Sequence, residues 1–107
     1  MTATRAQGWV VLKVDGDVDL ARRQELEDLV AANDDSYSNV VFDLTDVTFM
    51  DSTGLGWLLR SQDLLADRGA RCVVVLPTTL DRLFSAAGIT DQFVIHRSVE
   101  DATRFRA

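Results

Sequence analysis

The chain has 107 residues, 47% hydrophobic and 26% charged, a size and composition that suit one cytoplasmic domain over residues 1–107 with a core of its own. Its net charge of −6 and eleven scattered Lys and Arg residues argue against nucleic acid, whose binding rests on cationic contacts to phosphate. No apolar run approaches the roughly 20 residues of a membrane span. Residues Met1–Ala6 lack the hydrophobic stretch of a signal peptide, and the one cysteine, Cys72, rules out an internal disulfide and fits a reducing compartment.

In chain order, Trp9–Val14 reads as a strand, with Val10, Leu12 and Val14 on one side and Val11 and Lys13 on the other. Asp15-Gly16-Asp17 is expected to turn the chain, and Asp19 to cap a helix from Leu20 to about Ala32. Leu26, Leu29 and Val30 form that helix's apolar stripe, and Asn33 stops it. Asn39–Leu44 is nearly continuously apolar, the pattern of a strand covered on both faces. A helix follows Ser52 and ends at Gly69. Cys72–Leu76 is a second buried strand. Pro77-Thr78-Thr79 opens a helix with Leu80, Leu83, Phe84 and Ala87 at helical spacing, stopped by Gly88. Phe93-Val94-Ile95 is a short strand, and Ser98-x-x-Asp101 resembles a capping box before a last short helix. Alternating strands and helices imply an α/β fold with a largely parallel sheet and helices on both faces.

Three patterns invite chemistry. Asp15-x-Asp17-x-Asp19 suggests a calcium loop, but such a loop needs Gly at its sixth position and a bidentate Glu at its twelfth. Leu20 and Leu26 stand there. Mg²⁺ for phosphoryl transfer would need a partnering lysine or a phosphate-cradling loop, and neither is evident, so a solvated turn and a helix cap are expected instead. Ser52 lacks the Gly two residues earlier that a nucleophile elbow requires. His96, the only imidazole, has no sequence tie to Ser52, and Cys72 sits among valines as a small hydrophobe. An enzyme, a metal site and a cofactor are not expected.

The stretch Phe49-Met50-Asp51-Ser52-Thr53-Gly54-Leu55-Gly56 stands apart, because it joins a strand to a helix and places two glycines in that helix. Each costs roughly 1 kcal/mol against alanine. Bare backbone there suggests close approach by a phosphate or another protein. The competing reading of Ser52 is a plain helix cap worth about 1 kcal/mol. At about 100° per residue, Leu55, Leu58, Leu59, Leu65 and Ala66 share one face, with Trp57, Leu64 and Ser61 opposite. An exposed Trp57 reads as part of an interaction patch, with burial beneath a neighbouring loop as its alternative.

The Asp-Ser-Thr-Gly-Leu-Gly block after Val40-Val41-Phe42-Asp43-Leu44 resembles the signature of STAS domains, and more narrowly of bacterial anti-sigma-factor antagonists. Gly16-Asp17-Val18-Asp19 is similar to that family's turn before its first helix. Leu80–Ile89 resembles its third-helix segment, so the likeness runs from about Trp9 to Asp101. The resemblance implies a STAS-like mixed, largely parallel β-sheet with about four helices. It implies a protein that binds an ATP-binding partner, both anti-sigma factor and serine kinase, and so frees a sigma factor. Ser52 would be the phosphoacceptor, Thr53 offering a second hydroxyl beside it. Asp19, Asp51, Thr53, Gly54 and Gly56 would line the partner surface with Trp57. A PP2C-type phosphatase would restore the active form. The family's other settings, a stressosome component or a small subunit of a lipid-transport ATP-driven complex, are the alternative. Trp57 and Leu64 depart from the smaller or more polar side chains that many members carry there.

Overall fold

Side-chain alternation along three strands decides what covers each side of the sheet. The structure, a computed structural model, describes residues 1–6, 8–33 and 39–104. Five strands lie side by side in chain order: β1 (Thr2–Ala6), β2 (Trp9–Val18), β3 (Asn39–Met50), β4 (Cys72–Val75) and β5 (Val94–His96). β1 runs antiparallel to β2, and every later pairing is parallel. Between them run α1 (Arg23–Ala32), α2 (Ser52–Asp67) and α3 (Asp81–Ala86), and α4 (Val99–Arg104) follows β5.

Val10, Leu12, Val14, Val40, Phe42, Leu44 and Val74 point to the main core, where they meet Leu26 and Val30 of α1, Leu55, Leu58 and Leu65 of α2, and Phe84 of α3. The alternate residues Trp9, Val11, Val41, Val73 and Val75 form a second cluster, on which Ala102 of α4 packs. Helices therefore cover both faces, three against one side and α4 against the other, as the strand pattern implied. Asp43 on β3 is 7% exposed and satisfied locally, accepting from the Thr45 amide at 3.0 Å and from the Thr45 hydroxyl.

Several boundaries depart from the sequence reading. β1 was not anticipated: Thr2–Arg5 is exposed and has no apolar alternation, and backbone pairing to β2 makes it a strand. β3 continues six residues past Leu44 to Met50. The expected turn at Asp15-Gly16-Asp17 is instead the irregular end of β2, paired with Asp46, Val47 and Phe49 of the extended β3. The register slips on both sides of this stretch, and Gly16 takes the positive φ of +72° that the kink requires. The Arg22 guanidinium holds the kinked backbone by donating to the carbonyls of Asp15 and, at 2.8 Å, Asp17. The helix expected from Leu20 starts as a 3₁₀ turn, Leu20–Arg22, before α1 proper. Ser98 does cap α4: its Oγ accepts from the Asp101 amide at 3.1 Å.

Candidate functional site at the start of helix α2

β2 and β3 end level with each other, Val18 paired with Met50. Both chains then enter helices, so Asp19 and Asp51 sit at neighbouring strand exits, and the Asp51 amide donates to Val18 O at 3.3 Å. Each aspartate caps the helical turn that its strand enters. Asp19 Oδ1 accepts from the Ala21 amide at 3.1 Å, and Asp51 Oδ1 accepts from the amides of Thr53 at 2.9 Å and Gly54 at 3.3 Å.

The cap of α2 is therefore Asp51, and Ser52 is the first residue of the helix. This corrects the reading of Ser52 as an N-cap. Its side chain is exposed and carries none of the capping load. Two of the amides that an anion at this terminus would seek are already taken by the Asp51 carboxylate. Thr53 and Gly56 are half-buried beside it, and Asp19 and Asp51 likewise.

The two glycines divide. A Cβ on Gly54 would stand 2.8 Å from Met50 Cγ, 2.8 Å from Val18 Cγ1 and 2.9 Å from Val18 O. Gly54 is buried, and its bareness lets α2 approach the ends of β2 and β3; this corrects its assignment to a partner surface. A Cβ on Gly56 would meet only the Arg60 guanidinium, at 3.2 Å, so nothing rigid inside the protein demands glycine there.

Trp57 is also corrected. It is 2% exposed, with its ring set edge-on to Phe42 at 5.2 Å and 82°. With the close approach at Gly54, the buried arc of α2 comprises Gly54, Leu55, Trp57, Leu58, Ser61 and Leu65: Leu55, Leu58 and Leu65 are buried as the projection gave, and the arc is shifted to take in Trp57 and Ser61 as well. Leu59 is half-buried and Ala66 exposed, whereas Leu64, at 42% exposure, lies outward as expected. Trp57 is a core residue and no surface anchor.

The sequence reading missed two exposed apolar residues near the strand exits. Leu20, next to Asp19, is 66% exposed, and Phe49, two residues before Asp51, is 51% exposed. Consecutive Phe49 and Met50 on a strand cannot both face the core, which was the one available signal. Each strand exit thus has an exposed apolar residue within two positions of its capping aspartate.

The three aspartates before α1 have separate tasks. The Met1 α-ammonium lies 2.8 Å from Asp15, and its hydrogen bond holds that carboxyl below the usual carboxylate range. Asp17 accepts from Thr48 Oγ1 at 3.1 Å, and Asp19 is the cap. Among the described residues, no group of three His, Cys, Asp or Glu side chains is placed to hold a metal ion. Burial pushes the Cys72 thiol up to about 12, so it stays protonated at neutral pH. No helix among the described residues is long and apolar enough to cross a membrane.

The fold recurs in solved structures. The Thermotoga maritima protein TM1081, named as a candidate anti-sigma factor antagonist, superposes with a TM-score of 0.85 at 16% identity, over 96% of this chain and 91% of that one. An anti-sigma factor antagonist from Mycobacterium paratuberculosis gives 0.74 at 26% identity, over 97% and 92%. The anti-sigma factor antagonist SpoIIAA of Bacillus, in its unphosphorylated form, gives 0.75 at 18% identity, over 94% and 90%. The sequence model of the STAS domain matches residues 1–102, and the chain belongs to the STAS domain family.

Proposed function

We propose that this chain is an anti-sigma factor antagonist, a cytoplasmic binding protein whose partner is an anti-sigma factor with serine-kinase activity, and that phosphorylation of Ser52 switches the binding off. The observation that carries the reading is the exposed Ser52 hydroxyl on the first residue of α2, with exposed Leu20 and Phe49 near the two strand exits in sequence. The names of the relatives from Mycobacterium paratuberculosis and Bacillus support the partner class, and SpoIIAA's description as unphosphorylated supports a phosphorylated counterpart.

The physical logic starts from the cap. Phosphate adds about −1.5 to −2 charges at pH 7. At Ser52 it would lie beside the Asp51 carboxylate, which already holds the Thr53 and Gly54 amides. The helix dipole tolerates an anion at this end, and Ser52 supports no other group, so the fold survives the modification. The interface does not, because a surface fitted around a neutral hydroxyl must then accept a dianion next to Asp51. Leu20 and Phe49 serve as apolar anchors, with Asp19, Thr53 and Gly56 completing the surface. A PP2C-type phosphatase reverses the switch.

Binding of the unmodified chain, Ser52→Ala and Ser52→Glu to the anti-sigma kinase, measured by calorimetry, tests this. Ser52→Ala is expected to match the unmodified chain. Ser52→Glu is expected to bind at least about tenfold more weakly, since a crowded carboxylate without a cationic partner is costly. Equal affinity of all three variants would refute the switch.

A further inference from the structure

We propose that Arg22 is a positioning residue for the partner surface: its side chain fixes the elbow at Asp19 and Leu20, where β2 gives way to the 3₁₀ turn before α1. This inference rests on the proposed binding role and adds to it a residue that holds the surface without being part of it.

The end of β2 is supported unequally on its two sides. β3 pairs with it from Asp15 to Val18, and Val14 and Val18 are fully buried. β1 flanks it only as far as Lys13. Among the described residues, the backbone beyond Lys13 therefore has a strand on one side alone, and it is kinked there by two register slips and the positive φ of Gly16. Backbone carbonyls at such an edge must find donors outside the sheet.

Arg22 supplies donors from across the elbow. Its Nη1 donates to the carbonyl of Asp15 and, at 2.8 Å, to that of Asp17, while Nη2 lies 3.7 Å from Glu25. The guanidinium reaches bare Gly16, where a Cβ would stand 3.3 Å from Nη1. The Arg22 backbone amide donates to Asp19 O at 3.1 Å. One residue thus closes the span 15–22 on itself, with Asp19 and Leu20 inside it. A rigid guanidinium with several donors on a long stem suits this reach better than a single ammonium.

Leu20 shows what the closure is for. Its side chain is 66% exposed, so packing does not place it. The turn beneath it does, through the Asp19 cap on the Ala21 amide and the Arg22 bonds to the strand. Ordering a mobile side chain or loop at an interface weakens binding, and an anchor held beforehand avoids that loss.

Arg22→Gln, too short to reach both carbonyls, tests this beside Arg23→Gln, which removes the same charge from an exposed position. The first readout needs no partner: in the chain alone, backbone order parameters of Leu20 and Ala21 are expected to fall from about 0.85 toward 0.6 in Arg22→Gln and to stay high in Arg23→Gln. The second is calorimetric affinity for the anti-sigma kinase that the chain captures from native cells. Arg22→Gln is expected to weaken it about fivefold or more, and Arg23→Gln by less than about twofold. In a Leu20→Ala background, Arg22→Gln is expected to add less than about twofold, because the side chain it places is gone. Should Arg22→Gln lose the amide signals of the folded sheet, Arg22→Lys, one bond shorter and without the fork, is expected to show the same pattern with at least about a twofold loss. Order parameters that stay high, unchanged affinity, an equal loss in Arg23→Gln, or a full effect without Leu20 would overturn the assignment. Ser52→Glu, measured alongside, separates the two readings. If it binds as the unmodified chain does, the switch fails and the order parameters and the Leu20 background still decide on Arg22; if it binds weakly while Arg22→Gln does not, the assignment of Arg22 alone fails.

Discussion

The first two turns of α2 have an inner side and an outer side, and the same kinds of residue mean different things on each. On the inner side, Gly54 is bare because Val18 and Met50 leave no room for a Cβ, and Trp57 fills the core against Phe42. On the outer side, Gly56 is bare although only the flexible end of Arg60 stands near, and Ser52 is exposed although Asp51 does the capping. Residues on the inner side are explained by packing. At Gly56 and Ser52 on the outer side neither packing nor capping demands the residue, and that asymmetry is what the proposed partner surface at Ser52 would explain.

The largest expected effect is on the inner side. Trp57→Ala removes a 2% exposed aromatic and is expected to cost about 3–5 kcal/mol, a large part of the stability of a domain this size. Chemical denaturation measures it. A loss below about 1 kcal/mol would put Trp57 back on the surface.

Next come the glycines, where the two sides should differ in sign. Gly54→Ala forces a methyl against the Val18 carbonyl and is expected to destabilise by about 1–3 kcal/mol. Gly56→Ala only displaces the Arg60 tip and is expected to stabilise by about 0.5–1 kcal/mol, while weakening partner binding if the outer surface needs bare backbone. Equal thermal midpoints for the two variants would erase the distinction between the sides.

The smallest effect on stability is at Ser52. Ser52→Ala is expected to change it by less than about 0.5 kcal/mol, because the cap belongs to Asp51. A loss of 1 kcal/mol or more would mean that Ser52 supports the helix and that its exposure needs no functional reading.

Legibility in the sequence divides along a similar line, between local chemistry and contacts made across elements. The apolar runs at Val40–Leu44, broken only by Asp43, and at Val73–Leu76 announce strands covered on both faces, and the caps at Asp19 and Ser98 are local chemistry. β1 escaped because Thr2–Arg5 buries little and is held by pairing alone. The end of β2 escaped because Asp15-Gly16-Asp17 has the composition of a turn, and a residue beyond it, Arg22, keeps the kinked backbone in the sheet. At the site, the exposed helix start was legible from the strand-to-helix break. The facing of Trp57 was not, since the rotation of α2 is set by the close approach at Gly54, a contact between elements. Leu20 and Phe49 were missed because an exposed apolar side chain looks in sequence like a buried one.

The most direct test of the central claim is the position of the phosphate. The chain, Ser52→Ala and Thr53→Ala are each incubated with ATP and the anti-sigma kinase that the chain captures from native cells, and modified residues are mapped by mass spectrometry. Phosphate is expected on Ser52 in the unaltered chain and in Thr53→Ala, and none in Ser52→Ala. Phosphate on Thr53 in the unaltered chain, or on neither residue, would contradict the assignment of Ser52 as the switch.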